Sequence, residues 1–534
     1  MAFELKDLLI AYKKAKREVF HQNLHLTKRD FIEFEKNLIS NLSNLVKLLN
    51  SKKLKEFNFE NKLGYFTIVK SISYNKKEED TIVVSDSKKR WEILKEDVNS
   101  IDFRIIPDLG VELHVLSSLW IDSYGKFLEK DLSNNCYGSR VVLTNSSINH
   151  FKPYVQEYRL WQQNGIDIIR ENFKNKKNVI AITADLNSFY HHVNPEYLSL
   201  ISEEFNVKLN TEISKDAIFL NDVMGFLITS WSKKTYNQLS NDCKKQFRNK
   251  NHVGIPIGLS ASKVIANLIL KKFDDKVEEE LLPVYYGRYV DDIFIVLNNN
   301  SKLYDRSQIW NYVCKRIIGL SINIDGIVSY EDEYTENCSL EFNSSKEKIF
   351  ILEPLGGEEI IKEIEEELKK NSSEWRFIPE TGSDLDKLSE DILYSDGNIK
   401  EGLNSLRKAN SISIKRLKFA NYLNKLEEIV RTHPEYYWKD EVKRMVYFVK
   451  TFAINPEIIS DYTQYIPRIL ELVMYTENYK LYMDLSKSLN ESVTCLTESF
   501  KSSKYELELN KLEDYFKVII EMSIYTGFNL NKSK

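Results

Sequence analysis

Two adjacent carboxylates stand between two apolar, aromatic runs in the middle of the chain. The pair is Asp291-Asp292, with residues 285–290 before it and residues 293–297 after it. Aromatic and β-branched residues on both sides predict two strands joined at the pair. A hairpin tip that carries two carboxylates can bind a divalent metal ion. The alternative is a solvated turn, in which Asp is common, but flanks this apolar indicate a buried sheet.

A third carboxylate follows an apolar run further upstream. Residues 180–184 predict a strand, and Asp185 comes directly after them. Nucleotidyl transfer uses two metal ions about 3.5–4 Å apart, one on the attacking hydroxyl and one on the leaving pyrophosphate. Asp185 would complete a Mg²⁺ site with Asp291 and Asp292 if two adjacent strand ends bring them together. Alone, Asp185 would serve equally well as the cap of a following helix.

A glycine-rich segment lies between the two acidic elements. It carries Gly254, Pro256 and Gly258 at alternate positions. Glycine lets a backbone approach a base pair or a sugar without a Cβ in the way. The helix predicted to start near Ser260 also offers free N–H groups. The alternative is a rigid turn that precedes a helix.

In their order along the chain, these elements resemble the palm motifs of reverse transcriptases. The resemblance covers about residues 60–355. The matching residues are Asp185-x-x-x-Phe189-Tyr190, Gly254-x-Pro256-x-Gly258 and Tyr289-Val290-Asp291-Asp292, and more weakly Tyr137-Gly138-Ser139-Arg140 and Asn343-Ser344-Ser345-Lys346. The resemblance implies a right-hand polymerase with fingers and palm, which uses two Mg²⁺ ions, or Mn²⁺, to add nucleotides.

The resemblance also implies a role for individual side chains near the carboxylates. Asp185, Asp291 and Asp292 would bind the metal ions, and we include Leu186 among the metal-binding positions. Lys346 would act as a general acid on the pyrophosphate leaving group, unless it is an ordinary surface lysine. Tyr190 would exclude a ribose 2′-hydroxyl, which implies dNTP substrates, unless it is a core aromatic.

Further positions are candidates for binding substrate. Arg104 and Arg140 would bind the triphosphate or the template strand, because a guanidinium matches phosphate oxygens. Either arginine could equally pair with a structural carboxylate. The rest of the predicted substrate-binding set consists of Phe189, Gly254, Pro256, Gly258 and Tyr289. The basic loop at residues 244–252, with Phe247 for stacking, is a candidate for contact with a nucleic-acid backbone.

One position departs from the family pattern. Template-copying members usually have Gln in Gly-x-Pro-Gln-Gly, where this chain has Ile257, which cannot form a hydrogen bond to a strand. Together with a helical C-terminal region, this resembles the bacterial abortive-infection group of reverse transcriptases, which act in defence against phage. That group implies protein-primed, template-independent DNA synthesis, a single-stranded DNA product and a homo-oligomer. Tyr12, Tyr65 and Tyr525 are candidate priming residues.

Hydrophobic spacing predicts an α+β protein. We expect an N-terminal helical extension at 1–55, fingers and palm with an antiparallel sheet at 56–356, and an all-α region of HEAT-like repeats at 357–534 in place of a thumb. Strands are predicted at 63–69, 81–84, 101–107, 179–186 and 348–352. Apolar residues at helical spacing, including Leu8, Tyr12 and Val19, predict helices in the extension.

Composition narrows the class of protein without choosing a function. The chain has 534 residues, 42% hydrophobic and 29% charged, and a formal net charge of −4, so no global field attracts nucleic acid. Its five cysteines form no CxxC pair, which argues against a zinc ribbon or a disulfide scaffold and fits a reducing cytoplasm. No apolar run is long enough to predict a membrane span.

Two other functions stay open at this point. One is a retroelement or retron-type enzyme that copies a specific RNA template from a nucleic-acid primer. The other is an inactive polymerase fold that serves as a scaffold or sensor. The complete set of three aspartates argues against the second.

Overall fold

The computed structural model describes most of the chain. The described residues are 3–21, 25–75, 87–144, 148–196, 198–199, 202–204, 213–247, 251–336, 338–362, 393–395, 412–414, 416–501 and 503–528. The strand predicted at 81–84 lies outside them, as do residues 248–250 of the basic loop.

Helices and strands alternate along the first two thirds of the chain. The helices are α1 Leu5–His21, α2 His25–Glu35, α3 Leu38–Ser51, α4 Ser87–Leu94, α5 Val111–Trp120, α6 Lys126–Glu129, α7 Tyr154–Lys174, α8 Phe189–His192, α9 Lys215–Gln238, α10 Asn241–Lys244, α11 Ser260–Ile269, α12 Lys271–Lys276, α13 Arg306–Cys314, α14 Arg416–Thr432, α15 Lys439–Phe452, α16 Ile466–Tyr475, α17 Tyr479–Ser499 and α18 Glu506–Gly527. The strands are β1 Leu63–Tyr74, β2 Val98–Leu109, β3 Val179–Asp185, β4 Tyr285–Tyr289, β5 Asp292–Asn298, β6 Leu320–Ile322, β7 Val328–Tyr330, β8 Leu340–Glu341, β9 Lys348–Leu352, β10 Leu393–Ser395 and β11 Ile412–Ile414.

The chain divides into two compact units that are interleaved in sequence. The first contains Met1–Gly64, Pro107–Gln238 and Phe247–Glu365, and the second contains Tyr65–Ile106, Leu239–Gln246 and Glu366–Lys534. Antiparallel sheets and packed helices make the class α+β, which confirms the predicted fold class. The domain bounds at 55 and 356 stay a prediction, and the two compact units follow a different division.

A four-stranded sheet in the order β4-β5-β3-β9 forms the centre of the first unit. Every pairing in it is antiparallel. The inner strand β3 is buried along its length except at Thr183, since side chains pack on both faces of the sheet. Helix α7 packs against β4 and β5. The sheet therefore fixes the carboxyl end of β3 beside the start of β5.

The N-terminal helices belong to the same unit. Helix α1 packs on α5, and of its apolar positions at helical spacing Leu8, Tyr12, Ala15 and Val19 are buried, whereas Leu9 is half-buried. Burying one such side chain stabilises the fold by roughly 1.5–3 kcal/mol. The extension is thus part of the core of this unit.

The second unit combines most of the two-stranded β1–β2 sheet with helices α14–α18. The backbone of this sheet is bonded to the segment before α16, since the Val69 N–H donates to Ser460 Oγ at 3.1 Å. The α4 side chain Trp91 donates through Nε1 to Ser499 Oγ at 3.1 Å. A short antiparallel pair, β10 and β11, adds strands to a region predicted to be helical. The HEAT-like repeat stays a prediction. Across the described part of the chain, no helix is both long and apolar enough to cross a bilayer.

Candidate active site

The two acidic elements meet because β3 and β5 pair antiparallel. Asp185, the last residue of β3, lies directly opposite Asp292, the first residue of β5. Residues opposed in this way have Cα atoms about 4.5–5.5 Å apart. Asp291 is also held there, since its carbonyl oxygen accepts the Leu186 N–H at 3.2 Å. The structure thus brings the three predicted aspartates together, and their catalytic role stays a prediction.

The carboxylates repel one another. Burial, followed by the negative charge of Asp185, raises the pKa of Asp291 to about 6 and that of Asp292 to about 6. Asp291 and Asp292 are half-buried, and Asp185 is only 8% exposed. A cation placed among these groups would relieve the repulsion.

The donor set fits a magnesium ion in its chemistry. All the predicted ligands offer oxygen, which Mg²⁺ prefers. Leu186 can contribute only its carbonyl oxygen, because its side chain is buried and apolar. Within the described ranges, no three Asp, Glu, His or Cys side chains are close enough to enclose an ion as they stand. Binding a metal there would require the carboxylates to turn toward a common point.

Lys346 provides the positive charge beside Asp185. Its Nζ lies 2.7 Å from Asp185 Oδ2, and the side chain is 63% exposed. The turn that carries it is bonded to the end of β3, since the Asn343 N–H donates to the Asp185 carbonyl at 2.7 Å. The hydrogen bond to Asp185 raises the pKa of Lys346, so the ammonium stays charged at neutral pH. The role of Lys346 as general acid stays a prediction.

The turn between β4 and β5 has a strained backbone. Val290 has φ +60°, a left-handed conformation that β-branched residues rarely adopt. The Val290 carbonyl accepts Arg288 Nη1 at 2.7 Å. Gly138 lies against the turn, and a Cβ there would lie 2.5 Å from the Val290 nitrogen. Such strain costs on the order of 1–3 kcal/mol and persists only when its surroundings enforce it.

A buried ion pair supports this turn. Arg288 and Asp274 are both fully buried and bond twice, with Nε to Oδ1 at 2.7 Å and Nη2 to Oδ2 at 2.6 Å. Asn267 links the pair to the next segment, since it accepts Arg288 Nη1 at 3.1 Å and donates to the Gly138 carbonyl at 2.9 Å. The sequence interpretation missed this group. A lone arginine inside an apolar strand was the available signal.

Tyr190 lies near Asp291, where the predicted exclusion of a ribose 2′-hydroxyl requires it. It is half-buried, and burial together with the charge of Asp291 raises its pKa, so the phenol stays neutral. The Ile255 N–H donates to the Tyr190 carbonyl at 2.9 Å. Gly254 has φ +85°, and a Cβ there would lie 2.6 Å from the His191 Cα. A side chain at Gly254 would therefore overlap the protein's own backbone, and its contact with a base or sugar stays a prediction.

The rest of the glycine segment leads into α11. Pro256 is buried, and its carbonyl accepts the Leu259 N–H at 3.4 Å. Gly258 has φ +92° and is half-buried. Their part in substrate binding stays a prediction.

Three predicted contacts have a structural role instead. Phe189 is 2% exposed and packs in the core against Tyr190. Arg140 pairs with Glu129 and donates to the Ser133 carbonyl at 2.9 Å and the Cys136 carbonyl at 2.5 Å, which favours the structural alternative. Phe247 is 7% exposed and packs on the His191 ring, so its face is not available for stacking.

Two further predicted contacts lie on strands. Arg104 is exposed on β2 of the second unit, and its role stays a prediction. Tyr289 faces Asp292 across the β4–β5 hairpin, and its ring lies against α7 residues Tyr158 and Trp161.

Comparison with known families agrees with this geometry. Residues 123–351 match the family model described as reverse transcriptase (RNA-dependent DNA polymerase). The match covers less than half of the chain, and it makes this segment similar to a reverse transcriptase domain. The matched segment contains all three aspartates, the glycine segment and Lys346, which supports a polymerase-type nucleotidyltransferase. Among curated proteins, no match to the chain was found.

Proposed function

We propose that this reverse transcriptase domain adds deoxynucleotides to a growing DNA end and releases pyrophosphate in a Mg²⁺-dependent reaction. The observation that carries the proposal is the meeting of Asp185, Asp291 and Asp292 on adjacent strand ends, with Lys346 beside them. Nucleotidyl transfer needs that combination of anionic metal ligands and a nearby proton donor.

The predicted catalytic residues would have distinct roles. Asp185, Asp291, Asp292 and the Leu186 carbonyl would hold two metal ions, which supply activation of the attacking hydroxyl and neutralise phosphate charge. Lys346, protonated beside Asp185, would donate its proton to the departing pyrophosphate. The rigid turn at Val290 would keep the aspartate pair in register with Asp185.

Tyr190 supports the choice of dNTPs. The neutral ring stands close enough to Asp291 to feel its charge, and its backbone is fixed by Ile255. A fixed aromatic at this point would leave no room for a ribose 2′-hydroxyl. Substitution by a smaller residue should therefore increase the use of ribonucleotides.

The finer assignment extends this proposal. We infer protein-primed, template-independent synthesis of single-stranded DNA in the cytoplasm, by a homo-oligomer acting in abortive infection against phage. Ile257, which offers no hydrogen bond to a template strand, and the resemblance to the abortive-infection group support it. Among the candidate priming tyrosines, Tyr12 and Tyr65 are each 3% exposed, whereas Tyr525 is 61% exposed. Tyr525 is thus the one whose side chain reaches solvent.

Incorporation of labelled dNTPs by the purified full-length protein tests the proposal. We expect Mg²⁺-dependent incorporation by the wild type and a loss of at least about 1,000-fold in Asp291→Asn, because one metal ligand is removed. Label that migrates with the protein in a denaturing gel would support protein priming.

Other outcomes would favour the remaining functions. Extension only of a supplied primer on an RNA template would favour a retroelement enzyme. No incorporation under any condition, with Asp291→Asn equal to wild type in cells, would contradict the polymerase and favour a scaffold.

A further inference from the structure

An aromatic cluster adjoins the carboxylates on the first unit. It consists of Tyr158 and Trp161 of α7 and Tyr289 of β4, and Tyr154 lies one helical turn before Tyr158 on the same face of α7. The Tyr158 ring stands edge-on to Tyr289, with centroids 5.0 Å apart and an interplanar angle of 86°. Trp161 lies behind both, with its centroid 5.2 Å from that of Tyr158 and 6.0 Å from that of Tyr289. The Tyr289 hydroxyl donates to the Tyr154 carbonyl at 3.4 Å.

Exposure within the cluster increases outward from the core. Trp161 is 5% exposed, Tyr158 37% and Tyr154 64%. The buried indole thus fixes the inner rings, while the outer two tyrosines face solvent. An exposed group of aromatic rings on a rigid helix is a surface that a planar ligand can stack on.

The cluster is continuous with the candidate active site. Tyr289 is the cross-strand neighbour of Asp292, and the strained turn begins at the next residue. Burial, and then the charge of Asp292, raise the pKa of Tyr158, whereas Tyr190 is affected by Asp291. The edge-on contact with Tyr289, which faces Asp292 across the hairpin, places Tyr158 on the Asp292 side of the site. A nucleotide beside Tyr190 and a strand end beside Tyr158 would both reach the carboxylates.

We propose that Tyr154 and Tyr158 stack against the terminal bases of a nucleic-acid strand whose 3′ end enters the three-aspartate site, with Tyr289 supporting the ring of Tyr158. This inference rests on the proposed function and names the position of the strand that is extended. Stacking on aromatic rings accepts any base, because every base has a π-face. A surface of this kind suits an enzyme whose growing strand has no fixed sequence.

The chemistry of the cluster favours a base over a triphosphate. Tyr154, Tyr158 and Trp161 carry no charge. Their rings offer a π-face to a base, whereas a triphosphate is bound by cationic groups that these side chains do not supply. Exposed aliphatic neighbours such as Leu160, at 49% exposure, make a second copy of the chain the competing occupant.

Binding of single-stranded DNA to an inactive enzyme tests the proposal without turnover. In full-length Asp291→Asn, fluorescence anisotropy gives the Kd of a labelled oligonucleotide of about 12 residues, within the usual size of such sites. We expect Tyr158→Leu to raise Kd about 10-fold and Tyr154→Ala to raise it several-fold, since each removes a stacking ring. Tyr158→Phe keeps the ring and should stay within about twofold of the parent.

Tyr304→Leu is the matched control. Tyr304 is 59% exposed. It follows Asn298, the last residue of β5, which lies six residues or roughly 20 Å along the strand from Asp292. The Tyr304→Leu substitution should leave Kd unchanged. In the active enzyme, Tyr158→Leu should raise KM for the strand and leave KM for dNTP unchanged, which a general loss of structure would not do.

Several results would overturn the proposal. One is an unchanged Kd in both Tyr154→Ala and Tyr158→Leu. Another is a Kd in Tyr158→Phe as high as in Tyr158→Leu, which would make the hydroxyl the important group. A change in sedimentation of Tyr154→Ala with unaltered Kd would identify an interface between copies instead. If the wild type incorporates no nucleotide but Kd still depends on Tyr158, the proposed function fails and the stacking site stands.

Discussion

The turn at Val290 and the turn at Lys346 both deliver charged groups to Asp185, yet they are held very differently. Val290 is enforced by a fully buried Arg288–Asp274 pair and by close contact with Gly138. Lys346 extends from an exposed turn, and its side chain is 63% exposed. The backbone that carries the aspartate pair is therefore fixed by the core, whereas Lys346 is held by an ion pair with Asp185 whose lysine side is open to solvent. The two turns thus differ in how strongly the surrounding structure fixes them.

Breaking the buried pair should have the largest effect. Arg288→Met leaves Asp274 buried without its main partner, which should lower the free energy of unfolding by about 3–5 kcal/mol. Urea denaturation measures this. Arg316→Met is the control, because Arg316 is exposed and its side-chain contacts are with Tyr312, so its loss should change stability by no more than about 1 kcal/mol. Equal effects of the two substitutions would contradict the claim that the buried Arg288–Asp274 pair fixes the turn at Val290.

Moving the strained turn should come next. Gly138→Ala places a Cβ only 2.5 Å from the Val290 nitrogen, so the turn must shift. We expect a loss of about 1–3 kcal/mol in unfolding free energy and a reduced rate of nucleotide incorporation. Gly356→Ala is a matched control, since its Cβ would meet no atom within 4 Å. Full activity in Gly138→Ala would show that the position of the turn does not matter.

Removing the Lys346 ammonium group should reduce activity more than it reduces stability. Lys346→Met should slow incorporation about 10²–10⁴-fold if the ammonium is the general acid. Thermal denaturation should show a smaller loss of stability than Arg288→Met, because Lys346 is exposed, although Asp185, at 8% exposure, loses its cationic partner. Lys348→Met on β9, whose side chain is exposed, is the control. Loss of stability without loss of activity would give Lys346 a structural role.

The smallest effect expected is a pH dependence of stability. The pKa of Asp291 rises from 3.8 to about 6 on folding, so the folded protein binds more protons than the unfolded chain between those values. Stability should therefore fall as pH rises through that window and stay lower above it. Asp291→Asn removes the charge and should stabilise the protein by about 1 kcal/mol at pH 8, with no gain near pH 3.5. If the stabilities of the wild type and Asp291→Asn change in parallel with pH, the mutual repulsion of the carboxylates is contradicted.

The sequence was sufficient for the parts of the site that follow from strand pattern. An apolar run ending at Asp185 and a second beginning at Asp292 predict two adjacent strand ends, and the antiparallel pairing sets these residues opposite each other. Periodicity likewise identified α1, whose spaced apolar positions are buried. These features depend on local residue order, which the sequence states directly.

Other features depend on which distant groups become neighbours. Nothing local shows that Arg140 pairs with Glu129, that Gly254 abuts the backbone of His191, or that Phe247 faces inward. The buried Arg288–Asp274 pair joins a strand to a helix, so its two members give no joint signal in sequence. The grouping of residues 65–106 with the C-terminal helices is of the same kind.

Metal binding by the aspartates tests the central claim most directly. Mn²⁺ binding to the full-length protein can be titrated by electron paramagnetic resonance, with Asp185→Asn and Asp291→Asn beside the wild type. We predict saturable binding in the wild type and a loss of at least about 10-fold in affinity in both variants, since the two strands contribute to one site. Wild-type affinity in either variant would show that the three carboxylates do not share a metal.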